Sequence, residues 1–216
     1  MSPHPKPKLL LVGWDSADWK IIQPLVDAGQ MPALQRLLEQ GTSGNLTTLD
    51  PQLSPMLWTS IATGKHAYHH GVPGFTEVNE AGQVVPVSAA TRRCKTVWEM
   101  LGEHGLKSHV VSWFATQGEQ PAQGCMVSNL YNSFKHREED APEDWPKPAP
   151  GTYWPEDLAE HLNERRVSPW DIDPDEVLRL FVPEAASIDQ SKDQRLWHLA
   201  QRLAEASSVH SAACWL

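Results

Sequence analysis

Two features of this chain have residue types and placement suited to chemistry: Ser54, followed at once by Pro55, and Asp15, which closes the apolar run Leu9-Leu10-Leu11-Val12. Proline favours the first helical position, so Ser54 reads as the N-cap of a helix extending to about Thr63, with Leu57 and Ile61 as its buried face and Gly64 as its stop. A hydroxyl at that place lies beside backbone N–H groups and the positive end of the helix dipole. Attack on phosphorus from there would have its developing charge stabilised in place. An unassisted serine hydroxyl is a poor nucleophile, but a bound metal lowers its pKa, and a strand-end aspartate is a suitable hard-oxygen ligand for that metal. The same residues have a plainer reading. Ser-Pro is a common helix start, and an aspartate after a strand often only caps the next helix.

These residues need a framework to position them. Lys8 to Gly13 is continuously apolar after its lysine, the pattern of a central parallel strand buried on both faces, which would set Asp15 at the sheet edge where ligands collect. Two helices are expected next: one with Trp19, Ile22 and Val26 on a stripe, and one with Pro32 in its first turn, Leu34, Leu37 and Leu38 inward, and Gly41 at its end. Beyond Ser54, a short strand is expected at Val84–Val87, a helix over Thr96–His104 with Val97, Met100 and Leu101 apolar, and a strand over Ser108–Phe114. This order predicts an α/β fold, a doubly wound sheet flanked by helices. Three regions follow: residues 1–131 as the core, 132–190 as a charged, proline-rich insertion or cap containing a short helix over Glu156–Arg166, and 191–216 as a helix returning to the core. That last helix would carry Leu196, Leu199 and Leu203 on one stripe, continued by Val209 and Ala213.

Composition narrows the partners. The 216 residues are 40% hydrophobic and 21% charged with a net charge of −9, ordinary for a soluble domain. The acidic balance argues against nucleic acid or anionic lipid as a partner held by surface charge. The N-terminus is polar and the apolar run behind it is too short for a signal or a membrane span, so a cytoplasmic protein is expected. Three scattered cysteines, Cys94, Cys125 and Cys214, form neither a disulfide framework nor a thiolate zinc site.

The segment Leu9-Leu-Leu-Val-Gly-Trp-Asp15-Ser-Ala-Asp-Trp19 and the segment Ser54-Pro-Met-Leu-Trp-Thr-Ser-Ile-Ala-Thr63-Gly64, with His70-Gly71-Val72 after it, resemble the type I phosphodiesterase/nucleotide pyrophosphatase branch of the alkaline phosphatase superfamily. Within that branch the chain is most similar to the phosphohydrolase/phosphomutase group. The resemblance covers roughly the first 130 residues well and the remainder loosely. It implies an alkaline-phosphatase-like sheet and two divalent metal ions, usually zinc. It also implies Asp15 as a metal ligand, Ser54 as both metal ligand and nucleophile, and a small-molecule phosphate ester as substrate.

The family's remaining ligands are an Asp-x-x-x-His, an adjacent Asp-His pair and a further His. The chain has no Asp-His dipeptide, and it reads as the N-terminal portion of the family's domain, ending about where those ligands would begin. Asp157 and His161 have the first spacing but belong to the expected insertion, where a solvated helix face is the reading taken. His66, His69 and His70 read as a polar loop. The reading that follows is a metal-dependent phosphate mono- or diesterase working through a phosphoseryl intermediate. The alternatives are a phosphomutase of the same superfamily and a non-catalytic α/β fragment. A sulfatase is disfavoured because no arginine follows Ser54-Pro55 at the required spacing.

Overall fold

An apolar run becomes a strand only where a neighbour can take its backbone hydrogen bonds, and that condition sorts the elements of this chain. The computed structural model describes residues 8–132, 147–173, 182–189 and 191–216, and the chain divides into two compact units, Met1–Leu49 and Asp50–Leu216. In the first, helices α1 (Trp19–Asp27) and α2 (Pro32–Gln40) stand where their patterns place them. Asp18 caps α1 by accepting the Lys20 N–H at 2.8 Å. Pro32 opens α2, and Gly41 closes it. The strand expected at Lys8–Gly13 does not form. Among the described residues this unit holds no strand to pair with it, so the run carries no regular structure and Leu9 and Leu10 are 90% and 84% exposed.

The second unit is built on a three-stranded sheet. Strand β3 (Ser108–Trp113) runs parallel to β4 (Gly124–Ser128), and β5 (Tyr153–Trp154) adds antiparallel on the other side of β4. Earlier in the chain come α3 (Ser54–Thr63), α4 (Ala67–His70) and a hairpin of β1 (Thr76–Val78) with β2 (Val84–Pro86). The expected strand at Val84 is present; its partner at Thr76 carries no comparable pattern. Helix α5 (Val97–Glu103) precedes the sheet, and α6 (Leu158–Leu162) and α7 (Arg195–Trp215) follow it. The result is the α/β class that the order of elements predicted.

Successive residues of a strand face opposite ways, and β4 shows this directly. Met126 joins Ala62 of α3, Trp98 of α5 and Val110 of β3 in one cluster, while Val127 joins Tyr131, Tyr153, Leu162 of α6 and Ala212 of α7 in another. Each of these two β4 side chains is fully buried, worth roughly 1.5–3 kcal/mol apiece. At the far end of β3 the register shifts between Val111 and Trp113, with Ser112 in the left-handed region at φ 56°. The extra residue turns Trp113 to the face that Val110 occupies, where its Nε1–H donates to the Trp58 carbonyl at 2.9 Å and its ring meets Trp58 and Trp98 edge-on.

Three buried faces differ, two largely and one in part, from those expected. In α3 the buried residues are Pro55, Met56, Thr59, Ala62 and Thr63, while Ile61 is 52% exposed. Two threonines can be inside because each hydroxyl donates to the carbonyl four residues back, Thr59 to Pro55 and Thr63 to Thr59, both at 2.7 Å. In α5 the core position goes to Trp98, whose Nε1–H is satisfied by the buried Glu119 carboxylate, and Val97 and Met100 are each 40% exposed. In α7 Leu196 is buried as expected, and Leu199 and Leu203 pack partly buried against its cluster, but the fully buried row continues through Ala200, Ala204, Ser208 and Ala212, with Gln201 beside it and Ala213 outside. Small side chains let this helix lie close to its neighbours, and the Ser208 hydroxyl accepts the Val167 N–H at 2.7 Å.

The close pairing of β3 and β4 depends on Gly124. Its φ is +103°, and a Cβ there would lie 2.0 Å from the Ser108 carbonyl oxygen. Gly124→Ala is expected to lower stability by about 3 kcal/mol or more, read as a fall in the urea midpoint at unchanged m-value.

Candidate active site

The element that carries the candidate nucleophile begins one residue earlier than its sequence suggests. Leu53, extended at φ −111° and ψ 117°, is the N-cap of α3, so Ser54 and Pro55 are its first two helical residues. Ser54 is half-buried. Pro55 has no N–H, so an anion at this terminus meets one donor fewer than at most helix starts. No side chain caps α3, and its first intrahelical bond runs from the Leu57 N–H to the Leu53 carbonyl at 3.0 Å. At the other end Gly64 takes the left-handed cap at φ 64°, as expected for a terminating glycine.

The histidines after α3 part company. His66 and His69 are exposed and lie against the ring of Tyr68, at 5.7 and 4.2 Å between centroids. His70 is fully buried, which corrects the reading of all three as a polar loop. Its Nδ1 accepts the Val72 N–H at 3.1 Å, and its Nε2 lies 3.0 Å from Ser60 Oγ on α3. A backbone amide can only donate, so Nδ1 must be the unprotonated nitrogen and the ring proton sits on Nε2, pointing at α3. Burial pushes the His70 pKa down; a hydrogen bond to the Met56 backbone opposes this, and the neighbouring His66 adds to it. The sequence hint was slight: an apolar residue, Val72, directly beyond the Gly71 helix stop.

Around the C-terminal end of β3 a second polar group holds the turn. The Arg92 guanidinium donates to the Ala115 carbonyl at 3.2 Å, to Glu99 at 3.3 Å and to Glu119 at 2.7 Å. Ala115 has φ 58°, a strained backbone that this bond helps to fix. Burial pushes the Glu119 carboxyl up despite its arginine partner. Asn129, near the end of β4, uses its Oδ1 to accept the Thr116 N–H at 3.2 Å, a structural task.

Asp15 belongs to the first unit, in a turn with Ser16 at φ 58°, while Ser54 belongs to the second. Asp157 is the N-cap of α6, and His161 lies 5.1 Å from the Trp215 ring, so both are exposed residues of a short helix, as read. Among the described residues no group of three or more His, Cys, Asp and Glu side chains could hold a metal ion. A protein zinc site uses three or four protein donors, so the described residues do not make up a two-metal centre. Among those same residues no helix is long and apolar enough to cross a membrane.

The family model for type I phosphodiesterase / nucleotide pyrophosphatase matches residues 9–207. No curated protein and no solved structure matches the chain.

The lowered His70 pKa makes a pH prediction. Near pH 6.5 and below, the unfolded chain binds a proton at this ring more readily than the folded protein does, so the unfolded state is favoured as pH falls. The stability His70 contributes is complete above about pH 6.5 and is lost as pH drops through the folded value. Urea midpoints compared between pH 7.5 and 5.5 are expected to fall more in the native protein than in His70→Gln.

Proposed function

The chain belongs to the type I phosphodiesterase/nucleotide pyrophosphatase family, within the alkaline phosphatase superfamily, and on that footing we propose that it hydrolyses small phosphate mono- or diesters with Ser54 as the nucleophile. The observation that carries the residue assignment is the position of Ser54 in the first turn of α3, a helix that runs to Thr63 and ends in the left-handed Gly64. Ser54 Oγ would attack phosphorus in line with the departing oxygen. The Oγ–P bond forms, the ester O–P bond breaks, the hydroxyl proton is released and the leaving alkoxide takes up a proton. Water then attacks the phosphoserine: a new O–P bond forms, the Oγ–P bond breaks, a proton from the water returns to Oγ, and phosphate or its monoester is released. The positive end of α3 faces the charge that accumulates at the first step.

Metal dependence is part of the proposal because the hydroxyl needs an activator. Zinc is the ion the family resemblance points to, with Asp15 and Ser54 as donors. The shortage of further donors among the described residues favours a second reading, in which the chain as it stands binds anions without turning them over. Hydrolysis of bis(p-nitrophenyl) phosphate and p-nitrophenyl phosphate, with metal content by mass spectrometry, separates the two. The catalytic reading expects bound divalent metal, activity lost to chelator, and a fall in kcat of about 10⁴-fold or more in Ser54→Ala. A metal-free, inert protein would establish the non-catalytic reading.

A further inference from the structure

A nucleophile must be held to a fraction of an ångström, yet the first turn of a helix has the fewest hydrogen bonds of its own. Helix α3 has no side-chain cap to compensate. Besides the Trp113 bond to its Trp58 carbonyl, it has the buried ring of His70, reaching back from ten residues beyond Ser60. We propose that His70 is the positioning residue of α3: its neutral, Nε2-protonated imidazole fixes the first two turns, and with them the Ser54 hydroxyl. This rests on the reading of Ser54 given above.

The ring is well placed for the task on both sides. On the helix side its Nε2 faces Ser60 Oγ at 3.0 Å, six residues beyond Ser54 on the same helix. On the other side, its own backbone is tied to parts of the fold that do not belong to α3. The His70 carbonyl accepts the Arg93 N–H at 2.9 Å. Gly71 sits at φ 83° in a space where a Cβ would meet the Thr91 carbonyl at 3.0 Å. Val72 is fully buried with Val87 and with Ala115, the residue that Arg92 holds beyond the end of β3. His70 therefore transmits a fixed frame to a helix start that is weakly fixed by itself. The direction of its two bonds matters: a ring with its proton on Nδ1 would set two N–H donors against each other at Val72.

Two substitutions separate this role from simple packing. Glutamine can place an amide NH₂ where Nε2 stands, and asparagine can place an amide oxygen where Nδ1 stands. Each keeps one of the two bonds and leaves one buried partner unpaired, so their global stabilities fall by similar amounts. The measurements are native-state amide hydrogen exchange along α3, referenced to β4, and kcat and KM on bis(p-nitrophenyl) phosphate with the full chain. In His70→Asn, exchange at Leu57 and Trp58 is expected to rise about tenfold, the scale of one lost hydrogen bond. Its kcat is expected to fall about 100-fold with KM within about twofold, the pattern of a misplaced nucleophile. His70→Gln is expected to keep both within about threefold of the native protein. Should His70→Asn fail to fold, Ser60→Ala weakens the same contact from the helix side and is read by the same exchange ratio. The proposal is overturned if the two His70 variants change α3 exchange equally, or if neither changes it. A native protein without turnover rejects the phosphate-ester reading, while the exchange comparison still decides for or against His70.

Discussion

The burial of β4 on both faces is the constraint from which the rest of the second unit follows. A strand of five residues cannot expose either side, so one face must be covered by α3 and α5 around Met126 and the other by α6 and α7 around Val127. Its edges must also be filled, and β3 and β5 fill them with opposite senses. The helix that carries Ser54 is thus held at its far end by Ala62 against the sheet. Its near end, lacking a capping side chain, depends on contacts from elsewhere in the chain.

Those contacts come from irregular backbone rather than from regular elements. The left-handed residue at Ser112 turns Trp113 over to meet α3, and the left-handed glycine at position 71 lets His70 turn back into it. Both devices sit beside the C-terminal end of β3, the edge at which ligands collect in open α/β sheets. The Arg92 guanidinium, bonded to the Ala115 carbonyl and to two carboxylates, stiffens the same neighbourhood. Burying that ion group costs solvation, and the raised Glu119 carboxyl shows that cost, so its use here is to fix geometry more than to add stability.

Charge places a further demand on the proposed chemistry. A protein with a net charge of −9 repels a phosphate ester at long range, so recognition has to be local. The start of α3 provides a dipole end, reduced by the missing N–H of Pro55, and a cation would provide the rest. Among the described residues no group of three or more His, Cys, Asp and Glu side chains could hold such an ion, and for that reason metal content bears on the proposed function as directly as turnover does.

Much of this was legible along the chain. Helix stops at Gly41 and Gly64, the proline openings of α2 and α3, the strand at Ser108 and the spacing from Ser54 to Thr63-Gly64 are local signals, set by backbone preferences that each residue carries with it. Which side of a helix is buried was not legible for α3 and α5, and only in part for α7. Thr59, Thr63 and Ser208 become acceptable inside only when their hydroxyls find carbonyls or amides, and Trp98 only when Glu119 comes to meet its N–H. The run at Leu9 is the opposite case: its composition suits a buried strand, but a strand exists only as a pair, and the partner is a property of the fold. His70 falls between the two. Its residue type announced possible chemistry, but only the tertiary structure chose its nitrogen and its partner, because a tautomer is selected by the groups that surround the ring and not by its neighbours in sequence.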